Sequence, residues 1–287
     1  MATISGFTFI KNGEMLGYPF IQSIKSILPI IDEFVINVGE SEDNTLELIE
    51  AINDPKIRII KSKWNDKMKD RGYVYGQQKM IAQFNCTSDW AFYLEGDEVI
   101  HEEDLEKIKD TCSKYVNDKD VEAITFDYFH FYGNTNSYLD SPAWYRREAR
   151  IIKNSVRSYA PDGLFWLVLE TNKKGRYPNA VHSGANMYHY GWVRSEEQMN
   201  LKSLKVQQYW NKKHKAIDYK EIDQNIIKEF TGSHPMVVKD WIPKEKGLFQ
   251  SDPNYKLTRK ENKHRLMMKF ENWFGLELSK KHYKLIK

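Results

Sequence analysis

Residues 93–100, with the sequence YLEGDEVI, end an apolar run and place three carboxylates within four positions. Side chains alternate along an extended chain, so we expect Glu95 and Asp97 on one side and Glu98 on the other. Gly96 between them leaves room for the close approach of a ligand or of backbone. Two carboxylates on one side of a strand end suit a hard divalent cation such as Mg²⁺ or Mn²⁺. The alternative is an acidic turn that supports the start of the next helix.

The chain around this stretch alternates between predicted strands and helices. Apolar runs predict strands at ISGFTFI (4–10), EFVINV (33–38), KIRIIKS (56–62) and DWAFYL (89–94). Helical spacing of apolar residues, or residues that cap helices, predicts helices within 18–31, 41–52, 72–84 and 102–116. Such alternation predicts an α/β fold with a doubly wound, mostly parallel sheet. Ligands of these sheets bind beyond the carboxyl ends of the strands, and YLEGDEVI lies at one of those ends.

The composition describes a folded protein without a general attraction for nucleic acid. Of the 287 residues, 41% are hydrophobic and 14% aromatic, which is enough for a packed core. Residues 256–287 carry 10 Lys and Arg against 3 Asp and Glu, or +7, so the remainder of the +3 chain carries −4. This uneven charge argues against nucleic-acid binding and favours a local anionic partner.

The cysteines and the amino-terminal residues favour a cytoplasmic location. Cys86 and Cys112 form neither a CxxC pair nor a disulfide framework, so we expect reduced thiols in the cytoplasm. The first residues lack the charged and apolar regions of a secretion signal. No apolar run approaches the roughly 18 residues of a membrane span. We therefore expect neither secretion by a standard signal nor a membrane-spanning helix.

Three segments in order carry a resemblance to a known family: SGFTFIKNGE (5–14), EFVINVGESEDNTLELI (33–49) and DWAFYLEGDEV (89–99). Together they resemble the family-two glycosyltransferases, which are nucleotide-sugar-dependent enzymes of the type A glycosyltransferase fold. The resemblance covers residues 1–195. It implies a catalytic domain at 1–200, with a nucleotide-sugar-binding half at 1–116 and an acceptor-side half at 117–200. A helical, basic extension at 201–287 follows.

The resemblance assigns roles to the acidic cluster. The fourth-strand motif of the family is Asp-x-Asp, and its last Asp binds the metal that bridges the two phosphates of the donor. That residue is Asp97 here. The first carboxylate lies near the ribose and a metal-bound water, and here it is Glu95, a longer side chain than the family commonly has. Gly96 separates the two.

Further donor-binding candidates follow from the same resemblance: Thr8, Lys11, Asn12 and Glu14 around the base, Ser41 and Asp43 after the second strand, and Lys79 and Arg194 near the phosphates. Ordinary roles compete with these. Ser41 and Asp43 suit a helix cap, the segment at 10–14 suits a turn, and Lys79 suits a solvated helix face. The family's usual base-reading Asp is replaced by Val38 and Gly39, so the base stays open, with uridine expected.

The segment YHYGW (188–192) supplies a second metal ligand. A His among aromatics after the acceptor-side strands resembles the His that completes metal coordination in many enzymes of this fold, and here it is His189. Imidazole, an Asp oxygen and diphosphate oxygens together suit Mn²⁺. The alternative is a buried, hydrogen-bonded core histidine.

The catalytic base of an inverting transfer is a carboxylate that deprotonates the acceptor hydroxyl. Asp162, in SYAPDGLFW (158–166), falls where relatives carry a catalytic or acceptor-binding acid. Pro-Asp-Gly is also a strong turn signal. Asp127 and Glu148 are the other candidates.

The carboxyl-terminal segment KHRLMMKFENWFGLEL (263–278) places Leu266, Phe270, Trp273 and Phe274 at helical spacing among basic residues. A helix packed on its own domain or across a homodimer is the favoured interpretation. A membrane-surface helix that meets lipid-linked acceptors is the alternative.

Together these features predict a cytoplasmic, metal-dependent glycosyltransferase that acts on a glycan or lipid-linked glycan. A sugar-1-phosphate nucleotidyltransferase is an alternative with a similar fold, but it normally has a Gly-rich loop after the first strand, where this chain has only Gly13. An inactive nucleotide- or glycan-binding homologue is a second alternative.

Overall fold

A computed structural model of the chain describes residues 2–211, 216–243 and 247–286. The strands are β1 Ile4–Ile10, β2 Glu33–Gly39, β3 Ile57–Ser62, β4 Trp90–Tyr93, β5 Glu98–Ile100, β6 Ala123–Tyr132, β7 Asn134–Leu139, β8 Arg147–Lys153, β9 Ser158–Tyr159, β10 Leu167–Leu169, β11 Gly175–Arg176, β12 Asn179–Trp192, β13 Ile227–Glu229 and β14 Lys284–Leu285. The α-helices are α1 Phe20–Ile27, α2 Thr45–Glu50, α3 Tyr73–Gln83, α4 Leu105–Tyr115, α5 Glu196–Gln207 and α6 Arg259–Phe274.

The first half of the chain forms a parallel sheet in the order β4-β1-β2-β3. β1 is almost entirely buried, as expected for a strand whose two faces are both covered by helices. On one face Ile4 and Ile10 pack with Ile24 of α1, and on the other Phe7 packs with Met80 of α3. The predicted α/β class is therefore confirmed.

The second half extends this sheet with mixed pairing. β8 is antiparallel to β4, and β6 is antiparallel to β8. The long strand β12 runs parallel to β6 and antiparallel to β5. This arrangement brings the carboxyl end of β12 beside the acidic turn that follows β4.

The segment after residue 200 includes α6 and also returns to the sheet. β13 pairs with β7, and β14 pairs with the start of β12. Among the described residues, no helix combines the length and apolarity needed to cross a bilayer.

Candidate active site

A cavity of about 540 Å³ opens at the carboxyl ends of the parallel strands. Its floor comes from the ends of β1 and β4, and one wall comes from α5 and the residues that follow it. The predicted site residues that line it are Lys11, Asn12, Glu95, Gly96, Asp97 and His189. The cavity thus lies where open α/β sheets bind ligands.

The acidic stretch turns rather than continuing as a strand. β4 ends at Tyr93, and the amide of Glu98 donates to the carbonyl of Glu95 at 3.0 Å. The expected separation of Glu95 and Asp97 from Glu98 is therefore wrong, because side-chain alternation applies only to extended chain. Glu95 and Glu98 instead share the buried Arg150 of β8, whose Nη2 lies 3.1 Å from Glu95 Oε1 and 2.7 Å from Glu98 Oε1.

Asp97 points to a different set of partners. Its Oδ2 accepts hydrogen bonds from Arg194 Nη2 and Lys202 Nζ, each at 3.1 Å. Its Oδ1 lies 3.7 Å from His189 Nε2. Burial alone would raise the pKa of Asp97, but Lys202, His189 and Arg194 outweigh burial and hold the pKa well below its ordinary value.

The pKa of Glu95 is shifted in the opposite direction. Burial and the neighbouring charge of Glu98 raise the pKa of Glu95 to about 8, although Arg150 opposes the shift. Burial also acts on Glu98, but the charge of Arg150 and its hydrogen bonds leave the pKa of Glu98 below the ordinary value. One arginine therefore holds one ionised carboxylate and one that readily keeps a proton.

The ring of His189 is oriented by a second histidine. His130 Nε2 lies 2.7 Å from the carbonyl oxygen of Tyr145, which only accepts, so this nitrogen carries the hydrogen. Burial lowers the pKa of His130 well below its ordinary value, so its ring is neutral and Nδ1 is bare. His189 Nδ1, 2.9 Å away, is therefore the donor. Burial lowers the pKa of His189 as well, so its ring is neutral and its Nε2, on the side of Asp97, is bare.

This donor set fits a divalent cation that takes most of its ligands from a substrate. The described residues contain no cluster of three or more His, Cys, Asp or Glu side chains arranged to hold a metal alone. Asp97 Oδ1 and the bare Nε2 of His189 nevertheless flank one position. Mg²⁺ sites commonly use one or two protein ligands together with phosphate oxygens and water.

Several of the other predicted residues make bonds that build the loops around the cavity. Thr8 Oγ1 donates to the carbonyl of Leu94 at 2.6 Å. Ser41 Oγ accepts from the amide of Asn12 at 3.0 Å, and Asp43 accepts from Met15 N at 2.7 Å. Glu14 accepts from the amide of Asn44, and Arg194 Nε donates to the carbonyl of Gly17. Their part in donor binding stays a prediction.

Lys79 is buried, so a solvated lysine, the alternative interpretation of the sequence, is wrong. Its ammonium lies 3.2 Å from the carbonyl oxygen of Gly163 and 3.3 Å from that of Leu164. It also lies over the rings of Tyr93 and Trp166, at 4.0 and 3.7 Å from the ring centres. Burial lowers the pKa of Lys79 well below its ordinary value. Lys79 thus fixes the loop that follows Asp162.

Asp162 lies in the turn that its sequence predicts. Its Oδ1 accepts from the amide of Leu164 at 2.8 Å, and the adjacent Gly163 and Leu164 line the cavity. A role as the base stays a prediction. Of the other two candidates, Asp127 pairs with Arg147 and Glu148 with His282.

The sequence did not identify Arg150, Lys202 and Lys205 as site residues. Lys202 bonds to Asp97, and both lysines line the cavity from α5. Nothing local distinguishes them from the many other lysines, because they reach the site only through the position of α5. Aromatic rings of Phe9, Trp64, Tyr75, Tyr209 and Trp210 form a further wall.

The sequence matches no protein-family model, and comparison with curated proteins gives no match. Solved structures with a related fold include S. aureus TarS 1–349, at 14% identity, and TarS 1–349 in complex with UDP, at 15% identity. Both have a TM-score of 0.42, with 71% of this chain and 65% of that chain covered. A longer TarS chain gives 15% identity, TM-score 0.41 and coverage of 71% and 39%.

Glucosyl-3-phosphoglycerate synthase from Mycobacterium tuberculosis, in complex with Mn²⁺, UDP and phosphoglyceric acid, gives 16% identity, TM-score 0.32 and coverage of 44% and 43%. This chain therefore spans less than two thirds of each of these proteins. The likeness is one of fold alone, and the chemistry of the site follows from its own residues.

Proposed function

We propose that the protein is a metal-dependent glycosyltransferase that moves a sugar from a nucleotide diphosphate donor, a UDP-sugar in the first instance, to a glycan hydroxyl with inversion. The observation that carries this proposal is the convergence of Asp97, the bare Nε2 of His189 and the ammonium groups of Lys11, Lys202 and Lys205 on one cavity. A diphosphate bears adjacent negative charges, which clustered cations neutralise.

The residues have separate tasks in this proposal. Asp97 and His189 would hold Mn²⁺ or Mg²⁺, and the metal would supply positive charge that stabilises a departing nucleoside diphosphate. Lys202 and Lys205 contact phosphate oxygens from α5. The aromatic wall around Trp64 and Tyr209 stacks against the base, since every base has a flat π face.

The transfer itself is a single displacement. The acceptor oxygen forms a bond to the anomeric carbon, and the bond from that carbon to the diphosphate oxygen breaks with its electron pair on the leaving group. Asp162 takes the hydroxyl proton. This assignment rests on its loop, which reaches the cavity through Gly163 and Leu164.

A cytoplasmic location is part of the proposal. Cys86 and Cys112 are both unpaired, which suits a reducing compartment. The acceptor is proposed to be a glycan or a lipid-linked glycan.

Titration calorimetry with UDP, with and without Mn²⁺, tests the site. We expect UDP affinity to rise at least about tenfold with Mn²⁺ and this gain to disappear in Asp97→Asn and in His189→Gln. Asp54→Asn is the matched control, because its carboxylate accepts a backbone hydrogen bond from Lys56 away from the cavity. If the unaltered protein binds UDP with the same affinity with and without Mn²⁺, the metal assignment is wrong. If it binds no nucleotide diphosphate, the proposed function is wrong.

A further inference from the structure

The outward face of α6 is an exposed apolar patch. It consists of Leu266, Phe270, Trp273 and Phe274, and Trp273 is 80% exposed. The rings are contiguous, since Phe274 stacks on Phe270 at 6.0 Å and on Trp273 at 5.4 Å between centres. Single exposed apolar residues are ordinary, whereas a contiguous aromatic patch marks an interaction surface.

The inward face of α6 is bonded to the body of the protein through polar side chains, and Met268 packs beside them on a buried cluster. Glu271 is buried and accepts two hydrogen bonds from Arg146, at 2.8 and 3.0 Å. Arg265 donates two to Asp223, at 2.6 and 2.7 Å. A surface helix ordinarily buries its apolar face, whereas α6 leaves its aromatic side chains exposed. The favoured sequence interpretation is a stripe packed on its own domain or across a homodimer; packing on its own domain is wrong for the described residues, and the homodimer stays a prediction.

The two ends of α6 are capped, so the helix forms without a cover on its apolar face. Thr258 and Glu261 make a reciprocal capping box at its start. Gly275 ends it at φ +63°, with its amide donating to the carbonyl of Glu271 at 2.8 Å.

Basic residues surround the patch. Among the exposed residues of 256–286, eight are Lys or Arg and one is acidic, Glu277. Arg259 and Lys263 lie eleven and seven positions before Phe270, which places them on the same face of the helix. Lys280 and Lys281 follow its end. The partner that suits an apolar patch with a cationic border is anionic at its surface and apolar beneath.

We propose that α6 docks the protein on an anionic lipid bilayer, with Trp273 and the two phenylalanines at the boundary of headgroups and acyl chains and the lysines near lipid phosphates. A second copy of the chain fits less well. A two-fold contact sets the same patch against itself, so the two basic borders would repel each other. The inference is independent of the proposed glycosyl transfer.

Vesicle flotation tests the proposal with the full chain. Phosphatidylcholine vesicles are compared with vesicles that also contain phosphatidylglycerol, for the unaltered protein, for Phe270→Ser/Trp273→Ser and for Lys263→Gln/Lys269→Gln. Phe84→Ser is the matched control, because Phe84 is a 73% exposed aromatic at the end of α3. We expect binding to the anionic vesicles only, weakened about tenfold or more by either double substitution and unchanged by the control.

Three results overturn the proposal. The unaltered protein does not bind anionic vesicles, Phe270→Ser/Trp273→Ser binds them as strongly as the unaltered protein, or Phe84→Ser loses as much binding as Phe270→Ser/Trp273→Ser. Sedimentation velocity supplies the remaining outcome. A dimer that disappears with Phe270→Ser/Trp273→Ser, without vesicle binding, assigns the patch to a second copy instead. All substituted side chains are exposed, so equal melting temperatures exclude misfolding as the cause.

Discussion

Glu95 and Asp97 are separated by one glycine, and different partners hold them in different charge states. The cations Lys202 and Arg194 favour the carboxylate of Asp97, whereas burial and Glu98 raise the pKa of Glu95 to about 8. The contrast arises because the chain turns at Gly96, so the two side chains diverge. At the scale of single residues, the tertiary partners decide what a carboxylate does.

The role of Asp162 as the catalytic base can be tested with a substitution that preserves its turn. In Asp162→Asn the side-chain carbonyl still accepts from the amide of Leu164, while the base is lost. We expect kcat for sugar transfer to fall about 100-fold or more, with the melting temperature unchanged.

Asp54→Asn serves again as the control, because Asp54 makes the same kind of turn away from the cavity. Near-normal transfer by Asp162→Asn removes Asp162 as the base.

The orientation of His189 is predicted to depend on His130. In His130→Phe the acceptor for His189 Nδ1–H is lost, so the tautomer with a bare Nε2 is no longer enforced. We expect Mn²⁺ affinity, measured by titration in the presence of UDP, to fall about 10- to 100-fold. His130→Gln, which restores an acceptor, is expected to recover part of that affinity. Equal Mn²⁺ affinity in His130→Phe and in the unaltered protein would show that His130 does not orient His189.

The contact between α3 and the loop after β9 depends on a glycine inside the helix. A Cβ at Gly76 would lie 2.3 Å from the carbonyl oxygen of Ala160, which is backbone and cannot move aside cheaply. The close approach lets Lys79 of α3 reach the carbonyls of Gly163 and Leu164. At the scale of elements, this one missing side chain sets the position of the Asp162 loop.

Gly76→Ala should therefore destabilise the protein. Helix propensity alone favours Ala over Gly by about 1 kcal/mol. We expect the opposite sign, a loss of about 1–3 kcal/mol in the free energy of unfolding measured in urea, because the added methyl group collides with backbone. Gln77→Ala in the same helix is the control. If Gly76→Ala is more stable than the unaltered protein, the loop after β9 moves to accommodate the methyl group and the prediction is wrong.

The whole molecule is expected to lose stability in acid. Burial opposes ionisation of Glu122, Asp127 and Asp223, but hydrogen bonds and arginine or histidine partners hold the pKa of each below its ordinary value. Burial also lowers the pKa of His234 below 6.5. A lowered folded-state pKa contributes stability above the unfolded-state pKa, and this is lost as the pH falls through the folded-state value.

Urea unfolding between about pH 7 and about pH 3 measures this dependence. The free energy of unfolding should fall below about pH 4.5, where the unfolded state takes up protons that Glu122, Asp127 and Asp223 resist in the folded state. Above that pH the raised pKa of Glu95 acts in the opposite sense. Asp223→Asn should reduce the slope at the acid end. A free energy of unfolding that is constant over this range contradicts the prediction.

Much of the fold was predictable from local sequence. The buried strands ISGFTFI and EFVINV and the helices between them follow from apolar spacing, which acts over a few residues. The location of the site at the end of β4 follows from the same pattern. The long strand β12 and the return of β13 and β14 to the sheet were not predicted, since their pairing joins residues far apart in the chain.

The sequence by itself determined the α/β alternation and the position of the acidic stretch at the edge of the sheet, because these depend on neighbouring residues and on composition. Only the tertiary structure decided that Asp97 meets Lys202 and His189, that Arg150 joins Glu95 to Glu98, and that α6 turns its aromatic face outward. The physical reason is that charge states and exposure depend on groups brought together from distant segments. The stretch YLEGDEVI supplies the carboxylates, and β8, β12 and α5 supply the partners that determine their charge states.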